Sequence, residues 1–315
     1  MRRVSRRSLL GQVTAAAAAC LTARTPLVAT TQATDKNLSH NTQTPNDSPL
    51  TIPAWYYQHF DGNDDAPIPE SGFGGWKKTD LNFSRDHTAV VVMHAWDMGT
   101  QEQFPGWWRA VPYAKRANAI LRDVFPPLLK AVRDAKLPLF HVAGGGDYYK
   151  KLPGYQRAVD LAGPAPAGLP RVKSDPRRDK LHAFRKANVF PGGHNKPDID
   201  RGFARLDFPE QARPQGTEGV AENGHQLFGL CKDHGVNHLI YCGFAINWCL
   251  LMSPGGMMEM QKYGLMCSAI RQATTAVENK ESAPGELCKE IALWRVALAF
   301  GFVFDADDLM GALRA

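Results

Sequence analysis

Buried strands that alternate with amphipathic helices constrain the fold of this chain more than any other feature of its sequence. The run Ala89–Met93 is continuously apolar and mostly β-branched, which is typical of a parallel strand buried on both faces. Apolar residues at helical spacing follow over residues 114–136, where Pro126 and Pro127 predict a division into two helices. This alternation predicts an α/β fold, a three-layer sandwich in which a mostly parallel sheet carries helices on both faces.

The same pattern continues toward the C-terminus. We expect strands over residues 138–142, 237–242 and 265–270, and helices over residues 224–234, 257–263 and 285–300, the last of them closing the chain. Between about residues 144 and 216 the pattern is lost in glycine, proline and charge. This stretch is predicted to be a long irregular insertion, and loops of that length are often functional.

The N-terminal segment carries an unusual charge distribution. The first 33 residues hold five arginines and no acidic residue. Within them, Ser5-Arg6-Arg7-Ser8-Leu9-Leu10 resembles the twin-arginine export motif, and the apolar run that follows is shorter than the roughly 20 residues that a transmembrane helix needs. The rest of the chain holds 32 basic and 31 acidic residues, so the overall charge of +6 gives no reason to expect a nucleic-acid partner.

These features divide the chain into three parts. Residues 1–33 are predicted to be a twin-arginine signal peptide, residues 34–55 a disordered spacer, and residues 56–315 a single domain. We therefore expect export through the twin-arginine translocase, with cleavage near Ala33 and a periplasmic or secreted product. Lipid anchoring at Cys20 is the alternative, and no other stretch is long and apolar enough to span a membrane.

The candidate chemistry follows the third predicted strand. Ligands of parallel sheets bind at the carboxyl ends of the strands, where Gly243–Cys249 lies. A cysteine near the start of a helix is placed where free backbone N–H groups and the helix dipole favour the thiolate. Cys249 is therefore a candidate nucleophile, which needs a proton acceptor and N–H donors for the oxyanion. A structural cysteine is the alternative, because the chain has five others.

From about residue 86 to the C-terminus, the insertion aside, the chain resembles the isochorismatase-like cysteine hydrolases. Thr88–Met93 looks like the first strand of that family, and Leu128–Phe140 looks like its first helix and second strand. Gly243–Cys249 is similar to the family's Gly-x-x-Thr-x-x-Cys nucleophile turn. The resemblance implies a parallel sheet flanked by helices and hydrolysis of amide or vinyl-ether bonds of small molecules through a Cys, an Asp and a Lys.

The resemblance also implies roles for residues of the turn. Cys249 would be the nucleophile, the peptide before Ile246 would be cis, and backbone N–H groups of Ile246 and Cys249 would form the oxyanion hole. The threonine of the family's turn is replaced by Ile246. In addition, residues 253–256 interrupt the helix that normally follows the cysteine.

The other two members of the family's triad are replaced. The position of its general-base Asp holds His94, and the nearest carboxylate is Asp97. No lysine lies in residues 215–223, where Glu218 and Glu222 are the charged residues. We expect His94 to handle the proton of Cys249, because a neighbouring His can stabilise a thiolate, with a core histidine as the alternative. Asp97 and Glu218 are supporting candidates, and for Asp97 capping of the following segment is the simpler role.

The remaining motifs predict no cofactor and no metal. Gly144-Gly145-Gly146 lacks the Lys-Ser/Thr of a phosphate-binding loop and the later glycine of a dinucleotide turn. No zinc-binding His spacing is present, although His94, Asp97 and His141 follow or end neighbouring strands. An aromatic cluster follows the first strand and could line a pocket, form a homo-oligomer interface or fill the core: Phe104, Trp107, Trp108 and Tyr113.

Two functions follow from this sequence. The first is an exported cysteine hydrolase that acts on a small-molecule C–N bond through Cys249. The second is a catalytically silent domain of the same fold, used for binding or assembly, which the altered triad favours.

Overall fold

The computed structural model describes residues 49–315 of the chain. The expected signal peptide over residues 1–33, the first part of the expected spacer, and Cys20 lie outside the described residues. No helix within residues 49–315 has both the length and the hydropathy needed to cross a bilayer.

Within residues 49–315, eight strands form one sheet in the order β2-β1-β8-β7-β6-β3-β4-β5. The strands are β1 (Pro49–Gln58), β2 (Gly75–Ser84), β3 (Thr88–Met93), β4 (Leu139–Val142), β5 (Gly219–Ala221), β6 (His238–Phe244), β7 (Met266–Thr275) and β8 (Val303–Phe304). Strands β3 to β8 run parallel, whereas β1 pairs antiparallel with both β2 and β8. The predicted mostly parallel sheet is confirmed.

Helices cover both faces of the sheet. They are α1 (Pro105–Ala110), α2 (Ala114–Asp123), α3 (Phe125–Asp134), α4 (Pro153–Ala162), α5 (Pro176–Asn188), α6 (Lys196–Phe203), α7 (Gly224–His234), α8 (Met257–Met260), α9 (Leu287–Ala299) and α10 (Ala306–Arg314). Helices α2, α3 and α10 pack on one face and α4, α7, α8 and α9 on the other. The three-layer α/β sandwich is therefore confirmed.

The centre of the sheet matches the sequence analysis closely. Val90 pairs with Ile240 and Val91 with Tyr241 in the parallel neighbours β3 and β6. All six residues of β3 are buried, as their uniform apolar character predicts. The predicted helical segment over residues 114–136 divides at Val124, since Pro126 and Pro127 fit the first turn of α3, where a missing N–H group is tolerated.

The expected spacer over residues 34–55 is wrong in its last part. Residues 49–55 belong to β1, which lies between β2 and β8. Leu50, Ile52 and Ala54 are buried against one layer of helices while the residues between them are more exposed, an alternation typical of a strand. The polar composition of the residues before β1 concealed this alternation. The sequence analysis did not predict β2 either.

Two further segments are more regular than the sequence indicated. Residues 144–216 contain α4, α5 and α6, and all three begin with a proline in the first turn. The Asp175 carboxylate also caps α5 by accepting hydrogen bonds from the backbone of Arg177 and Arg178. At the C-terminus, α9 does not close the chain, because β8 and α10 follow it.

The strand β1 provides a test of the domain boundary. Replacing Ile52, which is fully buried, with Ala should lower the free energy of unfolding by about 2–5 kcal/mol through the lost burial and the cavity left behind. Replacing the exposed neighbour Thr51 with Ala should change it by less than about 1 kcal/mol. Urea denaturation measures both, and an Ile52→Ala protein as stable as Thr51→Ala would contradict the role of β1 in the core.

Candidate active site

The turn that carries Cys249 begins just after Gly243 of β6, which pairs with Met93 at the end of β3. Gly243 has φ +123°, and a Cβ atom placed on it would lie 1.9 Å from the carbonyl oxygen of Met93. Only glycine fits at this point, because a side chain would displace the paired strand. The predicted need for a glycine ahead of the cysteine therefore has a physical cause.

Cys249 lies in a single turn of π-helix, Ile246–Leu250, directly after β6. The amide of Leu250 donates to the carbonyl of Ala245 at 3.2 Å, closing the wide π-type ring. Ile246 and Leu250 are buried in the core and anchor the turn. The Asn247 side chain fixes it from the other side, donating to the Val277 carbonyl at 2.8 Å and accepting from the Val277 amide at 2.9 Å.

The Cys249 thiol is free and half-buried at the carboxyl edge of the sheet. The amides of Trp248 and Leu250 both donate hydrogen bonds to the Ala245 carbonyl. The amide of Ile246, one of the two expected oxyanion donors, has no hydrogen bond among residues 49–315, as expected for the first turn of a helix. The thiol and this available backbone donor thus belong to the same turn.

The cis peptide implied by the resemblance is present, but one residue earlier than expected. It joins Phe244 and Ala245 rather than preceding Ile246. Ile246, which stands where the resemblance implies a threonine, is fully buried and fills core volume. The expected interruption after the cysteine is observed between Leu250 and α8.

His94 follows β3 at the same edge of the sheet. Its amide donates to the Val142 carbonyl at 3.0 Å, its φ is +49°, and its ring stacks on Trp96 with centroids 4.8 Å apart. The ring atom Nδ1 is buried and has no hydrogen bond within the described part of the chain. Nε2 lies 3.4 Å from the position of a Cβ on Gly144, so the ring borders the loop after β4.

Burial lowers the pKa of His94 to about 4. The imidazole is therefore neutral at neutral pH, which is the form that accepts a proton rather than the form that stabilises a resting thiolate. No hydrogen bond joins His94 to Cys249 among residues 49–315. The role of His94 toward the thiol thus stays a prediction.

Asp97 has the simpler of its two expected roles. Its carboxylate accepts a hydrogen bond from the amide of Gly99 at 2.8 Å, and its second oxygen lies 3.4 Å from the Arg205 guanidinium. Asp97 therefore closes the turn after β3 and connects it to the insertion.

Glu218 is not brought to the Cys249 turn. It precedes β5 and so lies at the amino edge of the sheet, where it accepts hydrogen bonds from Arg133 at 2.6 Å and His141 at 2.9 Å. Burial alone would raise its pKa, but these hydrogen bonds lower the pKa of Glu218 to about 2. The expectation of a supporting role at the nucleophile is wrong, because the strand β5 separates Glu218 from the carboxyl edge.

Tyr113 is a functional candidate that the sequence marked only as part of an aromatic cluster. Burial raises its pKa well above the usual value, and a charge on Cys249 raises it further. The phenol is therefore a protonated O–H donor within electrostatic reach of the thiol. The rest of the cluster is core, since Phe104 and Trp107 pack with Phe203 and Leu206 of the insertion.

A polar network borders the site at the end of β7. The Arg116 guanidinium donates to Thr275 at 2.9 Å and pairs with Glu286 at 2.8 Å. Glu286 also lies 3.9 Å from Lys289, whose pKa is lowered mainly by burial. Sequence reasoning missed this network, because its members are distant along the chain and belong to no motif.

A carboxylate at the carboxyl edge of β5 is held by two tyrosines. Glu222 follows β5 and accepts hydrogen bonds from Tyr149 at 2.8 Å and Tyr155 at 2.9 Å. Both tyrosines come from the insertion, so the insertion contributes structure at the carboxyl edge of the sheet. Within residues 49–315, no three His, Cys, Asp or Glu side chains are grouped as metal ligands would be.

Comparison with known proteins gives distant similarities. No family model matches the chain. The ureidoacrylate amidohydrolase RutB of Serratia proteamaculans (strain 568) is 22% identical over 144 residues, which cover 42% of this chain and 54% of that protein. The chain therefore matches about half the length of this curated relative.

Two solved structures are similar to the chain at low sequence identity. A cysteine hydrolase from Pseudomonas syringae pv. phaseolicola 1448A has a TM-score of 0.40 and 15% identity, covering 74% of this chain and 94% of that one. An isochorismatase from Pseudomonas putida KT2440 has a TM-score of 0.35 and 17% identity, covering 70% of this chain and 89% of that one.

The contact between Gly243 and Met93 can be tested by substitution. Gly243→Ala should lower the free energy of unfolding by about 3 kcal/mol or more, because the new Cβ meets backbone and the φ value is unfavourable. Gly264→Ala is a matched control with φ +84° and open space around its Cβ. It should cost about 1 kcal/mol. Equal losses for the two variants in urea denaturation would contradict the close approach of β3 and β6.

Proposed function

We propose that this protein is an exported cysteine hydrolase of the isochorismatase-like type, which cleaves a C–N bond of a small amide-like molecule through Cys249. The observation that carries the proposal is the turn after β6, where a free, half-buried thiol lies beside an unpaired backbone amide at the carboxyl edge of the sheet. The similarity to an amidohydrolase agrees with it.

The chemistry divides into two steps. The Cys249 sulfur attacks the carbonyl carbon of the substrate, and the backbone N–H groups of Ile246 and Cys249 stabilise the oxyanion. The neutral His94 ring accepts the thiol proton and returns it to the leaving amine, which departs as the C–N bond breaks. Water then attacks the thioester, releasing the acid and restoring the thiol.

The surroundings of the turn favour a small substrate. Tyr113, whose phenol is protonated because burial raises its pKa, lies at the start of α2, and His94 stacks on Trp96 after β3. Aromatic surfaces with a few polar donors are typical of pockets for small, largely uncharged molecules.

The thiol chemistry can be tested by alkylation and peptide mapping. We expect iodoacetamide to label Cys249 in the folded protein near neutral pH. Burial raises the pKa of Cys267 to about 12 and that of Cys242 further, so both should react only after unfolding. If Cys249 labels no faster than Cys242, the proposed nucleophile is wrong.

Activity gives the second readout of the same proposal. Ammonia release from a panel of small primary amides and ureido compounds should be lost in Cys249→Ser and retained in Cys288→Ser, the matched control at the other half-buried cysteine. Because burial lowers the pKa of His94 to about 4, the acid limb of kcat/KM should fall near that pH, and His94→Gln should lower kcat/KM throughout because the proton acceptor is lost.

The silent-domain function is the second candidate, and the missing hydrogen bond between His94 and Cys249 favours it. A Cys249 that labels rapidly while every amide in the panel is left intact would support this candidate. In that case, binding of the same compounds should persist in Cys249→Ser.

Export is a separate part of the proposal and is carried by Arg6 and Arg7. Replacing both with Lys should leave the precursor in the cytoplasm, because the twin-arginine receptor distinguishes the two guanidinium groups from ammonium groups. Cell fractionation measures this, and mass spectrometry of exported protein distinguishes an N-terminus near Thr34 from a lipid on Cys20. Normal export of the double Lys variant would contradict the proposal.

A further inference from the structure

One arginine that takes no part in the proposed chemistry connects helix α2 to the end of strand β7. The Arg116 guanidinium donates from Nε to the Thr275 hydroxyl at 2.9 Å and from Nη2 to the Ala276 carbonyl at 3.1 Å. Thr275 and Ala276 are fully buried. A planar guanidinium holds two acceptors at once in a fixed geometry, which a flexible lysine ammonium does not do. Arg116 therefore fixes the end of β7 relative to α2.

Glu286 holds the guanidinium in this orientation. One of its carboxylate oxygens lies 2.8 Å from Arg116 Nε and accepts a hydrogen bond from the Thr275 hydroxyl at 3.4 Å. The hydroxyl thus accepts from the arginine and donates to the carboxylate. Both charged side chains are only about one-third exposed, at 33% for Arg116 and 37% for Glu286. The start of α9, where Glu286 lies, is thereby joined to the same contact.

The next residue, Val277, is bonded to the turn that carries Cys249. Its amide donates to the Asn247 side chain at 2.9 Å, and its carbonyl accepts from the same side chain at 2.8 Å. Asn247 belongs to Ile246–Leu250, the turn that holds both the thiol and the expected oxyanion donor. We call residues 275–277 the bridging segment. Because peptide units are planar and stiff, this short segment connects the position of α2 to that of the turn.

The bridging segment also pairs with the strand that leads into the turn. Thr275 pairs with Phe244, the last residue of β6, in the parallel ladder of β6 and β7. The turn is thus held at its entry through Phe244 and farther along through Asn247. On α2, Tyr113 precedes Arg116 by three residues, so both lie on one side of the helix. The contact that fixes the turn therefore also fixes the helix that presents the Tyr113 phenol.

We propose that Arg116 is a positioning residue for the reaction of Cys249 and acts through the bridging segment and Asn247. The inference rests on the proposed function, because the reaction that it serves is the attack of the thiol on an amide carbon. In that attack the sulfur and the Ile246 amide must meet the same carbonyl group, and a small displacement of the turn separates them. Because Arg116 acts through other residues, its loss should slow the chemical step more than it weakens substrate binding.

Steady-state kinetics of amide cleavage test this division. Arg116→Lys keeps a positive charge beside Glu286 but loses the two-acceptor geometry. It should lower kcat by about 10- to 100-fold and change KM by less than about threefold. Arg133→Lys is the matched control, because Arg133 holds the Glu218 carboxylate at 2.6 Å and the Arg213 carbonyl at 3.3 Å at the amino edge of the sheet. It should lose a similar amount of stability in urea and retain kcat. Equal kcat values for the two variants, or a rise in KM without a fall in kcat, would overturn the proposal.

A double variant tests whether Arg116 acts through Asn247. Asn247→Ala removes both hydrogen bonds to Val277 and should lower kcat to a similar extent. Since the two residues act through one segment, Arg116→Lys combined with Asn247→Ala should be about as slow as the slower single variant. Losses in kcat that multiply in the double variant would show two independent effects and contradict the proposed route.

Hydrogen exchange separates this inference from the proposed function, because it needs no substrate. The amides of Trp248, Leu250 and Val277 are hydrogen-bonded in the turn and the bridging segment. Arg116→Lys should raise the rate of deuterium uptake by peptides covering residues 244–252 and 274–279 by at least about fivefold, whereas Arg133→Lys should leave it unchanged. If this result holds while the wild-type protein cleaves no amide, the proposed function fails and the control of the turn by Arg116 stands. Unchanged uptake in Arg116→Lys would refute that control even in an active enzyme.

Discussion

The close approach of β3 and β6 at their carboxyl ends is the constraint on which the candidate site depends. Gly243 leaves no room for a side chain against the Met93 carbonyl, and this pair is the last between the two strands. The chain then turns through Ala245 into the π-helical turn, which exposes Cys249 while Ile246 and Leu250 are held in the core. The position of the thiol is thus a consequence of strand packing and not of local helix propensity.

The parts of this structure that the sequence predicted are those governed by short-range patterns. Continuous apolar runs identified β3, β4 and β6, and helical periodicity identified α2, α3 and α7 close to their observed bounds. The helices of residues 144–216 were missed because their start signals, a proline after a capping position, lie in polar surroundings. Strand β1 was missed because a short alternating segment follows a long polar one.

The site was harder to predict than the fold, because its chemistry depends on contacts between distant segments. Glu218 and Cys249 were both candidates for the same site, yet they lie at opposite edges of the sheet, since Glu218 precedes β5 and Cys249 follows β6. Tyr113 and Arg116 reach the site from α2, and Glu286 reaches it from the start of α9. The spacing of these residues along the chain gives no sign that they lie close together in the fold.

The carboxyl edge of the sheet carries two groups whose state depends on contacts between distant segments. Burial lowers the pKa of His94 to about 4, so its imidazole is neutral at neutral pH. Glu222, which follows β5, is held by hydrogen bonds from Tyr149 and Tyr155 of the insertion. The insertion therefore fixes the position of a carboxyl group at the edge of the sheet where Cys249 lies. A segment whose sequence predicted an irregular loop thus contributes to the polarity of the candidate site.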